Sequence, residues 1–159
     1  VVSHENLHSK GLHDLFQFAR REKVSTILNL AVPAGKWLNN KDILLTKEDQ
    51  LYVRKLLSKN PYLRLDMDAT IHKYGCPAFK EKLYISPSLD VMGCTFVQVS
   101  FGNLKDHSLK EIRSKALATD FMNKYTKRCP AAENRDFIDK YLSQLGRGAP
   151  KTFEEISKK

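Results

Sequence analysis

The three cysteines of the chain most constrain its fold, because each lies beside a residue that forms turns. Cys76 and Cys129 each precede a proline, and Cys94 follows a glycine. Proline and glycine release neighbouring side chains from regular backbone pairing, whereas buried packing cysteines behave as small hydrophobic residues. We therefore expect the three thiolates to converge on one soft-metal site, most simply an iron–sulfur cluster.

The spacing between the cysteines separates this pattern from common zinc sites. There are 17 residues between the first two and 34 between the last two. Zinc ribbons and fingers use pairs that lie only about 2 to 4 residues apart. A cluster is larger than one ion and accepts ligands from separate elements. The chemical alternative is zinc held by the three cysteines and one histidine, with His72 or His107 as the fourth ligand.

Composition narrows the class of protein. The chain has 159 residues, of which 42% are hydrophobic, so it can bury the core of one domain or slightly more. An odd number of cysteines argues against a secreted disulfide scaffold and indicates a reducing, cytoplasmic compartment. Because no apolar run approaches membrane-spanning length, no membrane contact is expected. The net charge of +9 makes nucleic acid a possible partner. Because no run of five basic residues occurs, a solvated basic surface is favoured instead.

In the first 70 residues, patterns typical of helices alternate with patterns typical of strands. Residues 7–23 have helical spacing, and residues 24–32 form an apolar run typical of a strand covered on both faces. Thr46 begins a second helix with the apolar stripe Leu51, Val53, Leu56 and Leu57, and residues 63–67 form a second strand. This order predicts α/β winding with parallel strand pairing.

The pattern changes after residue 68. Two short β-rich runs between residues 82 and 99 flank a turn at 87–90, which predicts an antiparallel hairpin. Ser108 and Glu111 have the spacing of a capping box, which predicts a helix. Further helices are predicted over 121–125 and 135–145, followed by a polar tail with one apolar turn. A boundary is expected near residues 69–76.

Residues 76–130 resemble the auxiliary-cluster domain, called SPASM or in a shorter form twitch, of radical S-adenosylmethionine enzymes. The resemblance is carried by Cys76, the hairpin 85–94, the Phe-Gly-Asn-Leu loop at 101–104, the Ser-Leu-Lys-Glu-Ile helix start at 108–112, and Cys129. The resemblance implies an α/β chain. Its parts would be the end of a partial (β/α) barrel over 1–70, a small α+β domain over 71–145 with a hairpin and helices holding a metal cluster, and a polar tail over 146–159.

The resemblance also implies the ligand set. Cys76, Cys94 and Cys129 would hold one auxiliary [4Fe–4S] cluster, with its fourth iron site open or filled by another group. Two positions depart from the family pattern, since Asp90 stands where the hairpin turn usually has glycine and Ala132 stands where a further cysteine is frequent. Three cysteines suffice for one cluster, whereas full domains of this family hold two.

Polar residues on the two predicted strands have two interpretations. Asn29 would contact cofactor or substrate if it faces a barrel lumen, or it satisfies a backbone group at the strand end. Arg64, Asp66 and Asp68 alternate and therefore share one face, which is either a polar lumen or a solvated edge.

The function implied is that of an enzyme part. The chain contains no Cys-x-x-x-Cys-x-x-Cys motif, which in this family binds the catalytic cluster and S-adenosylmethionine. The resemblance therefore implies the C-terminal part of a radical S-adenosylmethionine enzyme, inactive alone, whose N-terminal core lies upstream. The auxiliary cluster would bind substrate or relay an electron during modification of a peptide or small precursor. The alternative is a basic, zinc-stabilised module that binds nucleic acid.

Overall fold

The first 66 residues wind helices against short parallel strands. The structure is a computed structural model that describes residues 1–66, 75–120 and 122–158. The first elements are α1 (Lys10–Arg21), β1 (Thr26–Leu28), α2 (Lys47–Lys59) and β2 (Leu63–Leu65). β1 and β2 pair in parallel, which confirms the predicted pairing. A parallel bridge also joins Val2 to Leu30, just after β1. The segment at Val2, the β1 segment and β2 therefore lie side by side in the order in which they occur in the chain. A barrel needs consecutive parallel strands, and the barrel itself stays a prediction.

Polar caps determine where the first two helices begin. The hydroxyl of Ser9 accepts a hydrogen bond from the amide of Leu12, and α1 begins directly after it. Leu7, which was predicted inside this helix, is instead buried ahead of the cap. The Thr46 hydroxyl and the Asp49 carboxylate form a reciprocal capping box at the start of α2.

One face of the parallel pair packs on the helices and the other face is open. The buried side forms a core of Val2, Leu7, Phe16, Leu28, Leu45, Val53 and Leu63. On the opposite face Ile27 is 46% exposed, and its register partner Arg64 is exposed too. The prediction of a strand covered on both faces is therefore wrong for the described residues. The predicted buried stripe of α2 fails at Leu51, which is 65% exposed.

The predicted antiparallel hairpin is confirmed. It consists of β3 (Tyr84–Ile85) and β4 (Val91–Met92). The Ser86 hydroxyl accepts a hydrogen bond from the amide of Asp90, which closes the turn. The Asp90 carboxylate accepts hydrogen bonds from the Ser100 hydroxyl and the Asn103 amide group. These contacts explain why an aspartate serves where glycine is usual.

In the described residues, the first helices after the hairpin are α3 (Leu109–Leu117), α4 (Pro130–Glu133) and α5 (Arg135–Lys140). A 3₁₀ turn at Leu142–Gln144 continues α5. The predicted capping box of Ser108 and Glu111 is confirmed. The side chain of Asn134 accepts a hydrogen bond from the amide of Phe137 at the start of α5. The helix predicted over 121–125 is absent from residues 122–125, and residue 121 lies outside the described part. The Thr119 hydroxyl donates to the carbonyl of Ala116 and ends α3 before that helix could continue.

The C-terminal residues pack onto the second half of the chain. β5 (Val99–Ser100) pairs in parallel with β6 (Lys151–Thr152), and α6 (Phe153–Ser157) follows. Ile156 is only 1% exposed, and the Phe153 ring stacks on Phe101. Phe101 and Ile156 belong to a second core, which also contains Ala31, Val32, Ile43 and Leu44 from the first half of the chain. The predicted boundary near 69–76 falls mostly outside the described residues, and the division into three parts stays a prediction.

The described helices are short, and the longest of them contains 13 residues. Within residues 1–66, 75–120 and 122–158, no helix has the length and apolar composition needed to cross a bilayer. The cytoplasmic location stays a prediction.

Candidate metal centre

Cys76 lies in a loop that is locked against the segment 122–128. Its amide donates a hydrogen bond of 2.8 Å to the carbonyl of Thr126. Gly75 has φ of 104°, and a Cβ there would lie 2.7 Å from the Cβ of Tyr125. Glycine alone permits both the backbone angle and the close approach. The sequence therefore fixes the Cys76 loop against this segment.

Cys94 follows β4 in a turn, and the amide of Val97 donates a hydrogen bond of 3.3 Å to the Cys94 carbonyl. Burial raises the pKa of the Cys94 thiol, and the backbone amides of Phe96 and Val97 oppose that effect. Gly93 lets the turn approach the core, because a Cβ there would lie 2.8 Å from a ring carbon of Phe79. The turn thus places the Cys94 sulfur beside two backbone amides.

Cys129 is the residue immediately before α4. The amide of Ala132 donates a hydrogen bond of 3.2 Å to the Cys129 carbonyl, and the amides of Ala131 and Ala132 at this helix start oppose the effect of burial on the pKa of the thiol. Its own amide donates to the Glu133 carboxylate at 2.9 Å. The other oxygen of Glu133 lies 3.1 Å from a guanidinium nitrogen of Arg54. The Cys129 turn is therefore tied to α2 in the first half of the chain.

The three cysteines line one cavity of about 340 Å³, and each is partly buried. Burial, together with the charges of Cys94 and Cys76, raises the pKa of Cys129 to about 12. The charge of Cys76 also raises the pKa of Cys94. The structure therefore brings the three residues of the predicted site into one place, although they are distant in the sequence.

The donor set is of the type that iron–sulfur clusters and zinc both use, since three thiols on separate turns line one cavity. Backbone amides oppose the effect of burial on the pKa of Cys94 and of Cys129. In the part of the chain that the structure describes, no group of three or more His, Cys, Asp or Glu side chains is placed so that it could hold a metal ion.

Polar residues at the ends of both parallel strands reach the same cavity. Asn29 directly follows β1, Asp66 directly follows β2, and both line the cavity. Carboxyl ends of parallel strands meet at one edge, which is where α/β folds place ligands. Arg64 lies on the exposed face of β2 and is not among the lining residues, and Asp68 falls outside the described residues. The binding role of Asn29 stays a prediction.

The histidine ligands considered for zinc gain no support. His107 is exposed and does not line the cavity, and His72 lies outside the described residues. No histidine occurs among the described residues that line the cavity.

Several cavity residues were missed in the sequence. Lys80 lines the cavity, and its ammonium lies 5.1 Å from the centre of the Tyr125 ring. Burial lowers the pKa of Lys80, and the charge of Cys76 opposes that effect. Phe96 also lines the cavity and is 45% exposed. The usable signal was proximity in sequence, since Lys80 follows Cys76 by four positions and Phe96 follows Cys94 by two.

This region matches one known protein family. Searches among curated proteins and among solved structures gave no match. Residues 76–134 match the model of the family SPASM, described as an iron–sulfur cluster-binding domain. The matched residues contain all three cysteines of the cavity. Residues 76–134 are thus similar to an iron–sulfur cluster-binding domain of the SPASM family, the kind of auxiliary domain that accompanies radical S-adenosylmethionine enzymes.

Proposed function

We propose that this chain is the C-terminal part of a radical S-adenosylmethionine enzyme and that it binds one auxiliary [4Fe–4S] cluster. The observation that carries the proposal is the convergence of Cys76, Cys94 and Cys129 on one cavity within residues that match an iron–sulfur domain. When bound, the cluster supplies an electron carrier or an iron site for a substrate group.

The chain's own groups prepare the cavity for thiolate ligands. The backbone amides after Cys94 and after Cys129 lower the pKa values of these two thiols against the larger, opposite effect of burial. Hydrogen bonds to cluster sulfurs also raise the reduction potential. The close packing of Gly75 against Tyr125 keeps the Cys76 loop at the wall of the same cavity. Together these contacts preorganise three ligands from distant parts of the sequence.

The parallel strands supply the other wall of the cavity. In the proposed enzyme they form the end of a partial (β/α) barrel, and Asn29 and Asp66 lie where its lumen opens toward the cysteines. Asn29 would contact cofactor or substrate from this position. The closely spaced cysteine motif, S-adenosylmethionine and the radical chemistry belong to a core upstream of this chain. The substrate would be a peptide or a small precursor.

The test is metal analysis of protein prepared without oxygen. We expect iron and sulfide together with broad visible charge-transfer absorption, because thiolate-bound clusters absorb strongly in that range. A colourless protein that contains zinc and no sulfide would contradict the proposal. The upstream coding sequence provides a separate check, since a Cys-x-x-x-Cys-x-x-Cys motif must occur in it.

A further inference from the structure

The mouth of the cysteine cavity carries unbalanced positive charge. Lys124, Lys127 and Arg128 all line the cavity and are exposed to solvent. Within the residues that the structure describes, none of the three forms an ion pair, and the same is true of Lys80. The carboxylate Asp66 is the only unpaired acid among the described lining residues, since Glu133 pairs with Arg54.

These cations occupy a fixed segment. The carbonyl of Thr126 accepts the amide of Cys76, and the Thr126 hydroxyl donates to the carbonyl of Arg128 at 3.0 Å. The close contact between Gly75 and Tyr125 holds the same segment from the other side. Because these bonds hold the backbone, the three cationic side chains extend from a fixed rim beside Cys76 and Cys129.

The inside of the cavity is different in character. Its walls are mainly apolar, with aliphatic and aromatic side chains from both halves of the chain: Leu30, Val32, Phe96, Val97, Met122 and Phe137. The Phe96 side chain is apolar and lines the cavity, yet 45% of it is exposed to solvent. A ligand that buries apolar surface against these walls would gain binding free energy from desolvation.

We propose that this cavity binds a ligand with a carboxylate next to an apolar group, with the carboxylate on the rim formed by Lys124, Lys127 and Arg128. The inference rests on the proposed function, since it names the substrate class of that same site. Unpaired cations at the entrance of an apolar cavity attract anions and orient them as they enter. The carboxylate can belong to an acidic side chain of a peptide or to a free carboxylic acid.

Two pairs of probes separate these sources. The peptide pair is acetyl-Glu-Leu-Glu-Phe-amide and its uncharged analogue with glutamine in place of glutamate. The small-molecule pair is 3-phenylpropionate and 3-phenylpropionamide. Binding of each is measured by calorimetry at low and at high salt, with the protein loaded with its cluster. A single-stranded RNA oligonucleotide is titrated in parallel, because nucleic acid is the other polyanion that a basic rim could bind.

A variant of the rim is compared with a variant of equal charge change elsewhere. The rim variant is K124Q/K127Q/R128Q. The control neutralises three exposed lysines that do not line the cavity and form no described ion pair, in the variant K55Q/K105Q/K110Q. Iron content and the visible spectrum are recorded for both variants, so that loss of the cluster is distinguished from loss of ligand binding.

We expect one carboxylate probe to bind more tightly than its amide, with affinity that falls at high salt. The rim variant should bind it about tenfold more weakly, as expected for three exposed ion pairs, while the control variant binds as the original protein does. Equal binding of acid and amide, or equal losses in both variants, would overturn the inference. Tighter rim-dependent binding of RNA would also overturn it. A protein without iron whose rim still selects the acid would overturn the proposed function while leaving the rim assignment intact.

Discussion

The Nδ1 atom of His4 lies 2.6 Å from the Oδ2 atom of Asp49, and this contact joins the start of the chain to α2. The other Asp49 oxygen lies 3.4 Å from the Nε2 atom of His8. Oδ2 also accepts the amide of Thr46 at 3.0 Å in the capping box. The Asp49 side chain is only 6% exposed, so this carboxylate is a buried centre of hydrogen bonds rather than a surface charge.

The substitution Asp49→Asn should lower the free energy of unfolding by about 1 to 3 kcal/mol, because hydrogen bonds to a buried carboxylate are lost. Urea unfolding measures the effect. Glu48→Gln, in the same helical turn but exposed, is the matched control and should change stability little. An unchanged midpoint for the Asp49 variant would show that these contacts do not stabilise the fold.

Asp49 also predicts how stability depends on pH. Burial raises its pKa, but the hydrogen bonds from Thr46, His4 and His8 outweigh burial, and the pKa of folded Asp49 lies below its usual value. Its stabilisation is therefore complete above the unfolded pKa of about 3.9 and is lost as the pH falls through the lower folded value. Unfolding measured across this acidic range should show a slope that is smaller in Asp49→Asn. Equal slopes would contradict the assignment.

Single serine substitutions at Cys76, Cys94 and Cys129 should each remove most of the visible absorption and iron, because a hydroxyl is a poor ligand for iron in a cluster. The control is Met122→Leu, which changes a lining side chain of the same cavity without touching a thiol. Iron and sulfide assays after anaerobic preparation provide the measurement. Full iron retention in any one of the cysteine variants would remove that residue from the ligand set.

Gly75→Ala should destabilise the protein by about 1 to 3 kcal/mol, since the new Cβ meets Tyr125 and the backbone angle is unfavourable for alanine. It should also reduce iron binding, because the Cys76 loop can no longer dock on the segment 122–128. Gly146→Ala is the matched control, since a Cβ there meets no atom within 4 Å. Thermal unfolding and iron content are measured on both variants, and equal results would refute the proposed lock.

Ile156→Ala should cost about 2 to 5 kcal/mol of stability, the range found when a large aliphatic side chain is removed from a core. Ile156 is 1% exposed and packs with Phe101 and Phe153 in the second core. The exposed neighbour Lys158 offers the control substitution Lys158→Ala. If both variants unfold at the same urea concentration, the C-terminal helix does not contribute to the core.

Features governed by neighbouring residues were predictable from the sequence. The caps at Thr46 and Ser108 act within three positions, and the hairpin requires only two β-rich runs and a turn between them. Turn residues beside the cysteines also indicated that the thiols leave regular structure, and the structure places all three on one cavity.

Features that depend on tertiary proximity were not predictable. The apolar pattern of α2 could not show that Leu51 faces away from the core while Val53 packs into it. The positive rim arises because Gly75 draws the segment 122–128 against the Cys76 loop, a contact between residues about fifty positions apart. The ion pair of Arg54 and Glu133 likewise joins residues whose relation becomes visible only after folding.

The second core has a consequence for how the iron–sulfur region can be handled. Its members include Ala31, Val32, Ile43 and Leu44, which precede the matched residues by more than thirty positions. Residues 76–134 expressed alone or fused to another protein would lack part of this hydrophobic core, and the apolar surface that these residues cover would be exposed to solvent. The smallest transferable piece must therefore begin near Leu30 and run to the end of α6, so a family boundary drawn from sequence similarity is a poor guide for cutting this protein.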